Sequence, residues 1–181
     1  MELQILDFIQ ATLANPFFDW LMPFLSAIGE GGLVWIGIAL VMLCFKKYRP
    51  YGIMALVAMA FGFLVGEVCI KNIVCRVRPC YENPDVMMLV ARPGSYSFPS
   101  GHSCSSFAAA CMVFRANRYW GGGALVLAGL IAFSRMYVYV HYPTDVLAGI
   151  LLGFFSAWLT WFVYKRWILK NEKGGSKIEK I

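Results

Sequence analysis

Six ionisable side chains carry types and spacings suited to chemistry: Lys71, Arg78, His102, Arg135, His141 and Asp145. His102 and His141 are the two histidines of the whole chain. Asp145 follows His141 by four residues, and Pro143 between them suits the first turn of a helix. That spacing can set the carboxylate on the ring Nδ1 and leave Nε2 free as a nucleophile. The competing use of Asp145 is as a helix N-cap. Three cations with two histidines suit an anionic substrate better than a divalent metal, whose sites need several oxygen ligands. Phosphoryl transfer fits, because it needs charge stabilisation around an in-line nucleophile and leaving group. Pro99-Ser100-Gly101-His102 adds a second element: Gly101 permits close backbone approach, and free N–H groups at a helix start bind anions. By itself that tetrapeptide is also ordinary loop punctuation.

The elements that must position these residues belong to a membrane. Of 181 residues, 60% are apolar and 14% charged, against about 25% charged in a typical soluble domain. A soluble chain this small cannot bury so much apolar surface. Disorder, collagen and disulfide scaffolds are excluded by the same composition. The net charge of +6 does not point to nucleic acid, because the basic residues form short clusters between apolar runs. Spans are expected at 21–45, 51–70, 103–114, 119–140 and 146–164, the third being a short run rich in small residues that can begin earlier, around Pro99. The opening stretch, 2–14, is amphipathic and ends at Asn15-Pro16, so it is expected to lie in the interface; a sixth crossing is its alternative. Glu2 and Asp7, with no early Lys or Arg, argue against a secretory signal peptide. The expected fold is an all-α polytopic transmembrane bundle of five spans plus an interfacial N-terminal helix. Residues 1–170 would form one domain, and 171–181 a basic cytoplasmic tail.

Eleven of the sixteen basic residues then share one side: Lys46, Lys47, Arg49, Arg115, Arg118, Lys165, Arg166, Lys170, Lys173, Lys177 and Lys180. That side is expected to be the cytoplasm. Lys71, Arg76, Arg78, Arg92 and Arg135 remain on the other, together with both histidines and Asp145. Single polar groups at span ends are common anchors, but two histidines, three cations and a carboxylate at one depth are not explained by anchoring. A small anion transporter would spread such charges through the membrane, whereas here they gather at one face. The six cysteines show no metal-ligand spacing; Cys75 and Cys80 share a loop, but a disulfide between them is not expected.

Lys71-x6-Arg78-Pro79, Pro99-Ser100-Gly101-His102 and Ser134-Arg135-x5-His141-x3-Asp145 together resemble the three-part signature of the PAP2 (type 2 phosphatidic acid phosphatase) superfamily. The resemblance implies a metal-independent membrane lipid phosphatase with no cofactor. It implies His141 as the nucleophile of a phosphohistidine, Asp145 as its orienting carboxylate and His102 as the acid that protonates the leaving oxygen. Lys71, Arg78, Arg135, the Ser100 side chain and the Gly101 backbone would hold the phosphoryl oxygens. Soluble vanadium haloperoxidases share this constellation, but five apolar spans set the chain apart from them. A catalytically dead relative would lack a histidine, and both are present. The implied partners are a lipid phosphate substrate and membrane lipids, with no nucleic acid; no protein partner can be read. The implied location is the plasma (inner) membrane, multi-pass, with an extracytoplasmic site.

Two accessory candidates follow from the residues. Glu67 precedes Lys71 by four positions, the favourable order for a helical ion pair. Arg76, with Arg92, supplies spare cations that could neutralise a second phosphate; pairing with Glu82 and Asp85 is the alternative. The expected substrate is undecaprenyl diphosphate, with phosphatidylglycerophosphate or phosphatidic acid as competitors.

Overall fold

A computed structural model describes residues 1–178, with side chains described as far as residue 168. All regular elements among the described residues are helical. The chain opens with α1 (Glu2–Leu13) and α2 (Pro16–Ile28). Between them Asn15 caps α2, its side chain accepting from the amides of Phe17 (3.0 Å) and Phe18 (3.1 Å), and Pro16 occupies the first turn.

The expected span at 21–45 is broken. Instead, α2 and α3 (Leu33–Cys44) meet at a 49° bend across Gly29–Gly32. Gly31 (φ 56°) and Gly32 (φ 72°) take left-handed backbone that a side chain would strain, so the apolar run cannot continue as one helix. The expected span at 51–70 begins as α4 (Arg49–Phe63), widens into a π-helical stretch (Leu64–Ile70) and ends in α5 (Lys71–Val74). A short α6 (Pro79–Glu82) and a long irregular loop lead to α7 (Gly101–Ala116). Asn117 then caps α8 (Arg118–Tyr137), and α9 runs Pro143–Ile178. The expected basic tail is thus helical backbone up to Ile178; its side chains and its last three residues lie outside the described part.

Arg49–Glu82 and Pro143–Ile168 are each long and apolar enough to cross a membrane, and the bent α2–α3 pair is so when taken together. With 16 residues, α7 is about 24 Å long, shorter than the ~30 Å hydrocarbon core. It packs instead as the central helix against α4, α8 and α9. Its buried face of Ser103, Ser106, Ala108, Ala109 and Ala110 is small, which lets the neighbours approach closely. Trp35 of α3 donates its indole N–H to Ser106 Oγ at 2.8 Å within this core. Large apolar side chains such as Phe45, Leu64, Leu151, Trp158 and Phe162 point outward, as lipid-facing surfaces require.

Both N-terminal helices grip the segment joining α8 to α9. Leu6 packs with Tyr139 and Tyr142, and Ile9 with Tyr137, Val138 and Val140. Tyr137 donates its hydroxyl to Asp19 (2.7 Å) and Tyr139 donates to Asp7 (2.6 Å). Tyr139 holds left-handed backbone (φ 60°), a sparsely populated state for a side chain of its size that this packing sustains. The next residue but one is His141.

Candidate active site

His141 lies in the α8–α9 connection, and Asp145 in the first turn of α9. His141 Nδ1 is 3.5 Å from Asp145 Oδ2, on the ring edge the spacing predicts. The opposite nitrogen, Nε2, is 3.1 Å from Nη1 of Arg78. A guanidinium can only donate, so Nε2 must be unprotonated and the ring proton must sit on Nδ1, facing the carboxylate. Burial pushes the His141 imidazole down to about 3, assisted by the Arg78 and Arg135 cations and opposed by Asp145. At neutral pH the ring is uncharged, and its Nε2 lone pair accepts from Arg78.

Asp145 is 0% exposed and well supplied with donors. Oδ2 accepts from the Ser97 hydroxyl and from the Tyr142 amide (2.9 Å), while Oδ1 accepts from Arg76 Nη1 (2.7 Å). Its backbone carbonyl accepts from the Ser100 amide at 3.0 Å, which ties the start of α9 to the start of α7. The same carboxylate oxygen thus accepts from the Tyr142 amide just before α9 and stands beside His141 Nδ1.

Arg78 is fixed by the loop before α7. Its Nε donates to the Ser95 carbonyl (2.7 Å), Nη2 to the Ser95 hydroxyl (3.0 Å) and Nη1 to the Val140 carbonyl (2.9 Å). Lys71 stands where the π-helical stretch gives way to α5, and Glu67 lies within that stretch. Arg135, near the end of α8, donates to the Ser26 hydroxyl of α2, and its buried Nε has no hydrogen-bond partner among the described residues. His102, in the first turn of α7, sets Nε2 at 3.2 Å from the Ser26 carbonyl and 3.5 Å from Glu30 Oε2.

Lys71, Arg78, His102, Arg135 and His141 line one cavity of about 690 Å³. Gly101 also borders it: a Cβ there would run into the Glu67 carboxylate, so glycine is what lets Glu67 lie across the start of α7. Away from the cations, the cavity wall becomes apolar through Ile36, Leu56, Met59 and Phe63. A charged head and an apolar chain can share this space.

Two expected residues are placed otherwise. Ser100 is fully buried and serves as the N-cap of α7, its Oγ accepting from Ser103 N (3.4 Å) and Ser103 Oγ (3.0 Å); it is absent from the cavity wall. Arg76 also lies off the cavity, paired with Glu2 and Asp145 rather than with Glu82 or Asp85. Arg92 donates to the Pro84 carbonyl at 2.7 Å. Cys75 and Cys80 are both free thiols, one exposed and one buried. Ser26, Ser95 and Ser97 were not singled out from sequence. Ser26 left a trace, being the sole hydroxyl in the apolar run from Trp20 to Ile28, whereas Ser95 and Ser97 look like any loop serines.

The sequence matches the family described as the PAP2 superfamily over residues 51–169. It is 35% identical over 142 residues to an undecaprenyl-diphosphatase of Sulfolobus acidocaldarius, covering 77% of this chain and 68% of that one. The fold is similar to that of Aquifex aeolicus LpxE, with a TM-score of 0.77, 22% identity and coverage of 88% and 93% of the two chains. It is also similar to a transmembrane PAP2-type phosphatidylglycerolphosphate phosphatase from Bacillus subtilis, with a TM-score of 0.70, 26% identity and coverage of 91% and 85%.

Proposed function

The chain belongs to the PAP2 superfamily as a membrane lipid phosphatase, and from that premise we propose that it cleaves undecaprenyl diphosphate at the extracytoplasmic face through a phosphohistidine on His141. The observation that carries the mechanism is the 3.1 Å approach of Arg78 Nη1 to His141 Nε2 inside a cavity that is cationic at one end and apolar along the rest. A phosphoryl oxygen bound by Arg78 brings phosphorus within reach of the nitrogen lone pair.

Nε2 attacks the terminal phosphorus, the N–P bond forms, and the bond from phosphorus to the bridging oxygen breaks. His102 gives its proton to that leaving oxygen. Asp145 holds the Nδ1 proton and stabilises the charge that the ring acquires. Lys71, Arg78 and the unpartnered Nε of Arg135 draw on the equatorial oxygens, which gain charge in the transition state. Water then attacks the phosphohistidine and gives a proton back to His102, the N–P bond breaks, and inorganic phosphate leaves with both imidazoles restored.

Support for the substrate is the 35% identity to a relative named undecaprenyl-diphosphatase. Arg76 and Arg92 no longer speak for a diphosphate, since both are engaged elsewhere. The second reading, a phosphatidylglycerophosphate phosphatase, is favoured by the Bacillus subtilis structure at 26% identity. Support for the face is the distribution of basic residues, with most of them opposite the site. The deciding experiment measures kcat/KM of the purified chain for undecaprenyl diphosphate, phosphatidylglycerophosphate and phosphatidic acid. Faster turnover of either glycerolipid reverses the substrate. A cysteine label in the 80–98 loop that reacts only from the cytoplasm reverses the face.

A further inference from the structure

Arg76 bonds three side chains through its guanidinium, yet it lies outside the cavity wall. Nη1 donates to Asp145 Oδ1 and to Thr144 Oγ1, both at 2.7 Å, and Nη2 donates to the Glu2 carboxylate. Its guanidinium carbon sits 3.9 Å from the ring centre of Tyr142. The Arg76 carbonyl accepts from the Ser97 amide at 2.8 Å, and the Ser97 hydroxyl donates to Asp145 Oδ2. Backbone and side chain of one residue thus frame both oxygens of the same carboxylate. Glu2 completes the frame from α1, accepting from the Thr144 amide (3.2 Å) and hydroxyl (2.6 Å) through its other oxygen.

We propose that Arg76, anchored by Glu2, is a positioning residue that holds the Asp145 carboxylate against His141, making the N-terminal helix part of the catalytic apparatus. This rests on the reading of His141 as the nucleophile. Asp145 is wholly buried, its histidine neighbour is uncharged at rest, and Arg76 is the one permanently cationic side chain that pairs with it among the described residues. A buried carboxylate without a compensating cation is costly and tends to take up a proton, and a protonated Asp145 could no longer stabilise the imidazolium. The contacts suit arginine: three acceptors shared between its two terminal nitrogens and an aromatic ring against the guanidinium match a rigid fork that lysine lacks. Because Glu2 lies in α1, outside the region matched by the family, this frame joins the shared helical core to a segment particular to the first helix.

The test is steady-state kinetics and acid-quench trapping of the phosphoenzyme, with the full chain in detergent and with phosphatidic acid and undecaprenyl diphosphate as substrates. Arg76→Gln is expected to lower kcat by about 10- to 100-fold on both, with KM altered less than about 2-fold, as for misalignment of a reacting group. Arg76→Lys is expected to recover only part of the loss, and Glu2→Gln to lower kcat by about 2- to 5-fold, in keeping with a partly exposed pair. His141→Ala sets the baseline, and turnover in that variant would overturn the nucleophile assignment whatever the Arg76 variants do. With the baseline met, wild-type kcat in Arg76→Gln overturns the positioning role. So does a KM rise confined to the diphosphate, which would put Arg76 on the substrate. Should Arg76→Gln fail to fold, wild-type kcat in both Arg76→Lys and Glu2→Gln overturns it equally.

Discussion

Lys71 Nζ lies 2.7 Å from each of the two carboxylate oxygens of Glu67, a symmetric grip on an ammonium that is almost wholly buried. The pair faces the cavity from the π-helical stretch, and Gly101 leaves the room it needs. Glu67 therefore stabilises the charge of Lys71 and fixes its aim. Glu67→Gln should lower kcat/KM roughly tenfold, the value of one charge-assisted hydrogen bond, while the thermal unfolding profile in detergent keeps its single transition. Unchanged kinetics would reduce Glu67 to a packing contact.

The two histidines should separate kinetically. His141→Ala should abolish turnover and phosphoenzyme together. His102→Ala should slow the first half-reaction most for substrates with basic leaving oxygens, where protonation matters most. A series of phosphate esters of graded leaving-group pKa measures this directly. Equal losses across the series would take the acid role away from His102.

Activity should survive EDTA under the proposed mechanism, in which Lys71, Arg78 and Arg135 of the cavity wall supply the positive charge. Abolition by chelation followed by recovery in Mg²⁺ would overturn the metal-independent mechanism.

The depressed His141 value has a sign that can be checked. In the unfolded chain His141 binds a proton near 6.5, whereas in the folded chain it does so only near 3. Between those values the unfolded form holds more protons, so this group's contribution to stability falls as pH is lowered through the window. The groups that face it, Arg78, Arg135 and Asp145, act in the directions given above. Comparing thermal unfolding at pH 7 and pH 5 for the wild type and His141→Gln should show the steeper acid loss in the wild type. Parallel losses would mean that His141 is not held neutral.

Ser26 offers Arg135 its hydroxyl and His102 its carbonyl, so one residue of α2 steadies two cavity groups. Ser26→Ala removes only the hydroxyl. It should raise KM about 3- to 10-fold through the loss of one buried hydrogen bond to a charged group, with His102 unaffected. A fall in kcat alone would instead assign Ser26 to the protonation step.

Much of the site could be read from the order of residues because its chemistry is local or periodic. The four-residue step from His141 to Asp145 is one helical turn, and the step from Glu67 to Lys71 keeps those side chains adjacent even where the backbone widens to a π-helix. The break at Gly29–Gly32 was not read, because an apolar run with three nearby glycines fits one helix as well as two until the backbone takes positive φ.

Composition and patterning were enough to set a membrane helical chain and to gather two histidines, three cations and a carboxylate, since hydropathy and helical period depend only on neighbours along the chain. Tertiary structure alone decided the pairs between residues far apart in the chain. Arg76 had acidic candidates six and nine residues away, Glu82 and Asp85, yet it bonds Glu2 and Asp145, 74 and 69 residues distant. Ser100 had the position of a phosphate ligand and became a helix cap instead, while Ser26 reached Arg135 from 109 residues away. A long side chain's partner is chosen by which acceptors the packed helices leave within its reach, and that choice is made only when α1 and α2 close on the α8–α9 segment.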